Sequence, residues 1–215
     1  YAQQDGNLPI LYAYSDFISL PIGDINNAQT LLQVGEAYQA IGMFTEAVKF
    51  YEKVKVIDSN KTYRDRVFLN LGKIHLERKN YNEATLVGRK FLQIYPRSKL
   101  VPDGMKLLAR ALRGQGDFCE AINIYEDLLA RSSEKAEVHY FLGETFSEIN
   151  QLADAVQAYQ RAIETYDRQE KLIPEYLQNA YFHLGTSLFK LNRFGPAMEA
   201  LKSASELFPD NPLRD

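Results

Sequence analysis

The sequence predicts an all-α chain, an array of antiparallel helix hairpins. Two observations carry that expectation: a small residue followed twelve positions later by alanine recurs five times, and apolar residues around each pair return at spacings of three and four. A third supports it, since no stretch shows the apolar and polar alternation of a half-buried strand.

The five pairs are Gly35 and Ala47, Gly72 and Ala84, Ala109 and Ala121, Gly143 and Ala155, and Gly185 and Ala197. Directly before each small residue stands Val34, Leu71, Leu108, Leu142 or Leu184, and three after it Tyr38, His75, Leu112, Phe146 or Leu188. Three before each alanine stands Phe44, Tyr81, Phe118, Leu152 or Phe194, and four after it Tyr51, Gly88, Tyr125, Tyr159 or Leu201, so Gly88 breaks the pattern. A small residue in each of two antiparallel helices lets the axes approach closely, and large residues one turn away fill the space between hairpins. A single hairpin buries only part of its apolar surface, so neighbours must stack.

Turn signals fall between the members of each pair, at Ile41-Gly42, Lys79-Asn80, Gly114 to Asp117, Asn150, and Asn192 to Pro196. Pro196 falls in the first turn of its helix, where a missing amide is harmless. Successive copies stand 37, 37, 34 and 42 residues apart, which places extra residues near 62–64, 99–101 and 170–177. At 3.6 residues per turn these amount to about one, one and two added helical turns, the last lengthening the helices that flank Pro174. Leu11 to Leu20, ended by Pro21, predicts a second helix of a partial upstream hairpin or a capping helix.

These residues resemble the tetratricopeptide repeat, with its large apolar residue, Leu-Gly, Tyr, Ala, aromatic and terminal Pro, the last at Pro96 and Pro209. The resemblance covers roughly residues 28–211 and divides the chain into a partial repeat or capping helix at 1–27, repeats at 28–64, 65–101, 102–135, 136–177 and 178–211, and a tail at 212–215. The longer spacings and the phrase Phe91 to Ser98 are locally similar to bacterial cell-envelope repeat proteins of the outer-membrane assembly type. That resemblance leaves an envelope or a cytoplasmic location open.

In this family the hairpins stack into a right-handed superhelical array, an α-solenoid, whose first helices line a concave groove. Mapped onto this chain, the resemblance implies a groove with Arg66, Leu69, Lys73 and Leu76 in the second repeat, and Asp103, Lys106, Arg110 and Arg113 in the third. Tyr140 and Glu144 follow in the fourth, and Phe182 and Phe189 in the fifth. Some family members hold a carboxyl terminus with a Lys and an Asn four residues apart. Leu32 and Glu36, or Leu69 and Lys73, occupy those places here, so that function is not carried over.

Composition narrows the classes of function. The 215 residues are 46% hydrophobic and 25% charged with a net charge of −3, so no broad electrostatic bias points to nucleic acid or anionic membrane. No apolar run reaches the roughly 18 residues needed to span a bilayer, and a start at Tyr1 without a signal peptide suggests a piece of a longer protein. Cys119 alone excludes an internal disulfide and a cysteine zinc site, and is expected as a half-buried apolar residue. His75, His139 and His183 occupy different repeat positions, with packing the expected role of His75, and Gly114-Gln-Gly116 lacks the third glycine of a dinucleotide loop. No catalytic residue, metal site or cofactor is expected.

The function these readings favour is a non-catalytic scaffold, probing another protein's acidic segment with Lys73, Lys106, Arg110 and Arg113 and an apolar anchor with Phe182 and Phe189. The alternatives are a self-associating repeat domain, whose partner is a second copy, and a targeting arm for a catalytic domain outside this chain.

Overall fold

A computed structural model describes residues 27–131, 135–166 and 174–207. Those residues hold ten α-helices: α1 Ala28–Ala40, α2 Phe44–Ile57, α3 Arg64–Glu77, α4 Tyr81–Ile94, α5 Val101–Gln115, α6 Phe118–Arg131, α7 Lys135–Glu148, α8 Leu152–Thr165, α9 Glu175–Lys190 and α10 Phe194–Leu207. No strand occurs among them. The partial hairpin expected before residue 27, the segment 167–173, Pro209 and the tail lie outside the described residues.

The chain divides into two compact units, Tyr1–Leu107 and Leu108–Asp215. In the first, α1 packs on α2 and α3 on α4, and α3 also meets α2 and α1. In the second, α7 packs on α8 and α9 on α10, while α9 also meets α8 and α7, and α7 meets α6. Helices α3, α7 and α9 therefore each contact their own partner and the hairpin before it.

The register of small residues marks the closest approaches. Ala47, Ala84, Ala109, Ala121 and Ala155 are fully buried and Ala197 nearly so. A methyl group placed on Gly35 would lie 2.6 Å from the Tyr51 ring, and one on Gly143 2.6 Å from the Tyr159 ring, so neither helix pair could close with a larger residue there. In the hairpin where Gly88 replaces the expected large residue, the space against Gly72 is filled instead by Val87 of the same helix and Leu107 of α5. The departure at Gly88 is thus compensated by two aliphatic neighbours.

All five hairpins turn in one way. The seventh residue after each small one has a left-handed backbone: Gly42 (φ 78°), Lys79 (59°), Gly116 (86°), Asn150 (60°) and Asn192 (59°). The next amide reaches back five residues, as from Met43 to Tyr38 O at 2.8 Å and from Asn80 to His75 O at 2.9 Å. This pairing satisfies carbonyls that a helix end leaves open.

The expected helical extensions near 62–64 and 99–101 take another form. Helices α2, α3 and α4 are each 14 residues long, and the extra residues lie in the linkers 58–63 and 95–100. The first linker is organised by Asp58, 5% exposed, whose carboxylate accepts the Thr62 amide at 3.0 Å and the Tyr63 amide at 2.8 Å. The second is organised by Ser98, whose hydroxyl donates to Asp65 at 2.5 Å and accepts from the Leu100 amide at 3.0 Å. Local side-chain bonds to backbone compete with helix continuation, which explains why the helices stop. Cys119 departs from expectation too: at the second position of α6 it points outward and is exposed.

Candidate interaction surface

The first helices bring charged residues from successive repeats together in each unit. In the first unit, Arg66 of α3 donates from Nε and Nη2 to the two carboxylate oxygens of Glu36 on α1, at 2.6 and 2.8 Å. Asn70, one turn further along α3 and 6% exposed, donates to the same carboxylate at 2.9 Å. The fork matches the planar acceptor geometry that favours Arg over Lys. Lys106 lies 3.4 Å from Asp103 on its own helix, while Lys73 is half-buried.

In the second unit the same idea is more enclosed. Arg113 of α5 donates to Glu144 of α7 at 3.3 Å and lies 3.7 Å from Glu148. Arg110 sits over the Phe141 ring at 5.2 Å and Arg113 at 6.0 Å, and Phe141 stacks on Tyr125 with planes 16° apart. His183 of α9 closes the cluster with Nε2 3.4 Å from Glu144. Burial lowers the His183 pKa, opposed by Glu144 and reinforced by Lys190.

Burial alone would lower the Arg113 pKa, but Tyr125, Glu148 and Glu144 outweigh it and hold the guanidinium charged. Burial also raises Glu148, with Arg113 pulling the other way. Tyr125 is fully buried, its hydroxyl has no hydrogen-bond partner, and burial pushes its phenol well above the ordinary value. Tyr140 meets Phe141, Tyr159 and Tyr176 at centroid distances of 5.4, 6.2 and 6.0 Å. Arg113 and Glu144 therefore rest on an aromatic floor.

This arrangement corrects part of the surface expected from sequence. Leu69, Leu76 and Tyr140 are 1%, 8% and 7% exposed and belong to the interior. The reason is that α3 is covered by α1, α2 and α4, and α7 by α6, α8 and α9, which leaves each first helix a narrower free face. Arg66, Arg113 and Glu144 do reach the first-helix side, but they meet partners within the fold. Phe182 is half-buried, 5.6 Å from the His183 ring. Phe189 remains open at 60% exposed and meets Phe194 edge-on at 5.4 Å.

Two exposed residues, Phe194 at 56% and Met198 at 69%, were not read as surface from the sequence. Phe194 holds the slot of Phe44, which is covered by the Arg78 guanidinium of the following hairpin at 5.5 Å. No described helix follows α10 to cover Phe194 in the same way. Among the described residues, no group of three His, Cys, Asp or Glu could hold a metal ion, and no helix is long and apolar enough to cross a membrane.

Comparison with known proteins agrees with this architecture. Tetratricopeptide repeat family models match residues 30–63, 106–170 and 178–211, together more than half of the chain. Protein bimA of Emericella nidulans is 23% identical over 195 residues, which is 91% of this chain and 22% of that protein. The chain thus spans about a fifth of this curated relative. Among solved structures, MamA from Desulfovibrio magneticus superposes with a TM-score of 0.64 at 18% identity, covering 86% of this chain and 97% of that one. YrrB, described as a tetratricopeptide protein with an unusual peptide-binding site, superposes with a TM-score of 0.58 at 16% identity, covering 95% of each chain. At these identities the structural likeness speaks for the fold, and with the repeat matches it leads to one conclusion: the chain belongs to the tetratricopeptide repeat family.

Proposed function

We propose that this chain is a non-catalytic scaffold that binds a segment of another protein through its second unit, with Phe189 and Phe194 as the apolar anchor. Tetratricopeptide repeat domains are generally protein-interaction scaffolds, and YrrB carries a peptide-binding site by its own description. The observation that supports this reading for the present chain is Phe189, a large aromatic on a first helix left 60% exposed beside the equally open Phe194. Paired exposed aromatic rings are the composition of an interface centre rather than of an ordinary solvated face.

The charged cluster then sets register. Arg113 and Glu144 are already paired, so an incoming segment gains little from either alone, whereas Arg110, held over Phe141, offers its guanidinium edge to an acidic group. Affinity resides mainly in the aromatic pair and orientation in Arg110.

A photo-crosslinking residue placed at Phe189, with controls at the exposed Val56 and Leu86 of the second helices, tests the reading. Specific crosslinks to another polypeptide from position 189 alone, lost on Phe194→Ala, are the expected outcome. Crosslinks only to this chain's own residues 208–215, or equal yield from the controls, would overturn it.

A further inference from the structure

The net charge of −3 conceals two halves of opposite sign. Residues 1–107, the first compact unit, hold 14 basic and 11 acidic residues, whereas residues 108–215, the second, hold 11 and 17. The first unit is therefore basic and the second acidic, although the total shows neither.

Part of this contrast falls on one repeated stripe. In each second helix the positions two, five, six and nine after the repeat alanine lie about a turn apart and share one face. In the first two hairpins the charged residues at these positions are Lys49, Lys53, Arg89 and Lys90 against Glu52, all exposed. In the third they are Glu126 and Asp127, in the fourth Glu164 against Arg161, and in the fifth Glu199 and Glu206 against Lys202, again all exposed. Arg89 and Lys90 of α4 thus hold the same repeat positions as Glu126 and Asp127 of α6 with the opposite charge. The exposed Lys61, Arg97 and Lys99 of the linkers add to the basic side.

Pairing within a helix does not cancel the contrast. Glu52, the one acid on the basic stripe, is engaged by Lys55 at 2.9 Å, while Asp127 meets Arg131 at 3.1 Å and Glu206 meets Lys202 at 3.6 Å. Each of these side chains is at least 43% exposed, and pairs in that setting are weak enough to exchange partners. The basic stripe also carries Val56 and Leu86, 83% and 53% exposed, whose apolar area a contact would remove from water.

Charge and spacing together favour one occupant. A surface that complements the basic stripe needs acids at the spacing of stacked second helices, and the second unit of this same chain has them at the same repeat positions. An anionic bilayer would meet the basic stripe but leave the acidic one without a role. We infer that the second-helix face of the first unit is an interface for a second copy of this chain, which presents the acidic second-helix face of its own second unit. Charge sets the orientation of the two copies, and Val56 and Leu86 supply the apolar area. The interface does not rest on the Phe189 and Phe194 anchor, which lies at other repeat positions.

Sedimentation velocity of the whole chain at about 0.1 and 1 M sodium chloride, between which the screening length falls from about 10 to about 3 Å, tests the inference. Self-association at the lower salt that weakens at least about tenfold at the higher is the expected result. The variant Lys49→Glu/Lys53→Glu/Lys90→Glu makes both stripes acidic, and Glu126→Lys/Asp127→Lys/Glu164→Lys makes both basic. Each should be monomeric alone with unchanged far-ultraviolet circular dichroism, and an equal mixture of the two should associate again. Val56→Ser with Leu86→Ser should weaken association about tenfold and leave its salt dependence as it was. Phe194→Ala should change nothing here, which separates this interface from the anchor. A chain that is monomeric at both salts, association indifferent to salt, or a mixture of the two reversed variants that stays monomeric would overturn the inference. So would a monomer that uses Lys49, Lys53 and Lys90 to bind phosphatidylserine vesicles or polyglutamate, since the face would then belong to a membrane or to an acidic segment of another protein.

Discussion

Replacing Lys79 with glycine should stabilise the protein although it adds no contact. Lys79 is exposed and holds the left-handed turn position with φ 59°, which Gly42 and Gly116 fill at 78° and 86°. A side chain in that conformation costs about 1 to 2 kcal/mol, because Cβ crowds the following carbonyl. Glycine removes that strain but makes the unfolded chain more flexible, a loss of about 0.5 to 1 kcal/mol. The net expectation is a gain of about 0.5 to 1 kcal/mol. The turn's own bonds, from Lys79 to Leu76 O and from Asn80 to His75 O, both 2.9 Å, involve only backbone and are kept. The reverse change, Gly116→Lys, should cost a similar amount, since the only neighbour a Cβ would meet there is Phe118 at 3.9 Å, an ordinary contact. Urea unfolding followed by far-ultraviolet circular dichroism measures both, and hydrogen exchange shows whether the effect stays in the affected hairpin, as a nearest-neighbour stack requires. A lowered midpoint for Lys79→Gly, or an unchanged one for Gly116→Lys, would refute the claim that one left-handed turn closes every hairpin.

Three further expectations follow from packing, capping and titration. Ala155→Leu forces extra carbons into a fully buried contact and should cost about 1 to 3 kcal/mol, so an unchanged unfolding midpoint would contradict the close approach of α7 and α8. Asp58→Ala strips two backbone amides of their acceptor and should cost about 1 to 3 kcal/mol, with Asp58→Asn losing less because one acceptor oxygen remains; equal losses would show that the carboxylate does not organise the linker. Burial raises the phenol pKa of Tyr51, Tyr125, Tyr140 and Tyr159 above the ordinary 10.0, so the folded state keeps protons that the unfolded chain releases. Their stabilisation is complete below about pH 10 and is lost as pH rises further. His139 behaves in the opposite sense: burial, then Arg161 and Lys135, lower its pKa from 6.5, so its contribution is present above that pH and is lost as pH falls. Urea midpoints should decline on both sides of neutrality, with His139→Leu flattening the acid limb; a midpoint that climbs at alkaline pH would contradict the assignment.

The hairpins were legible in the sequence because their cause is local. Gly35 and Ala47, Gly143 and Ala155 stand at fixed separations within one hairpin, and the size of those residues alone decides how closely two helices can approach. The turns were legible for the same reason at Gly42 and Gly116, less so at Lys79, where a residue unsuited to the conformation is carried by the bonds around it. The lengths of the linkers were visible as extra residues, but their form depended on where Asp58 and Ser98 find backbone partners.

The surface could not be read in the same way. Arg66 looked like part of a basic groove until Glu36, 30 residues earlier, proved to lie within 2.6 Å, and Arg113 until Glu144 proved to lie 31 residues ahead. Such pairs depend on how one hairpin rotates against the next, and no spacing within a repeat records that rotation. The burial of Leu69, Leu76 and Tyr140 has the same origin, because a helix position is open or covered only by virtue of its neighbours. Sequence by itself determined that this chain would build paired helices with a repeating close contact. Tertiary packing decided which charges meet and which aromatic rings stay in water at Phe189 and Phe194, because each of these is a relation between hairpins and not a property of one.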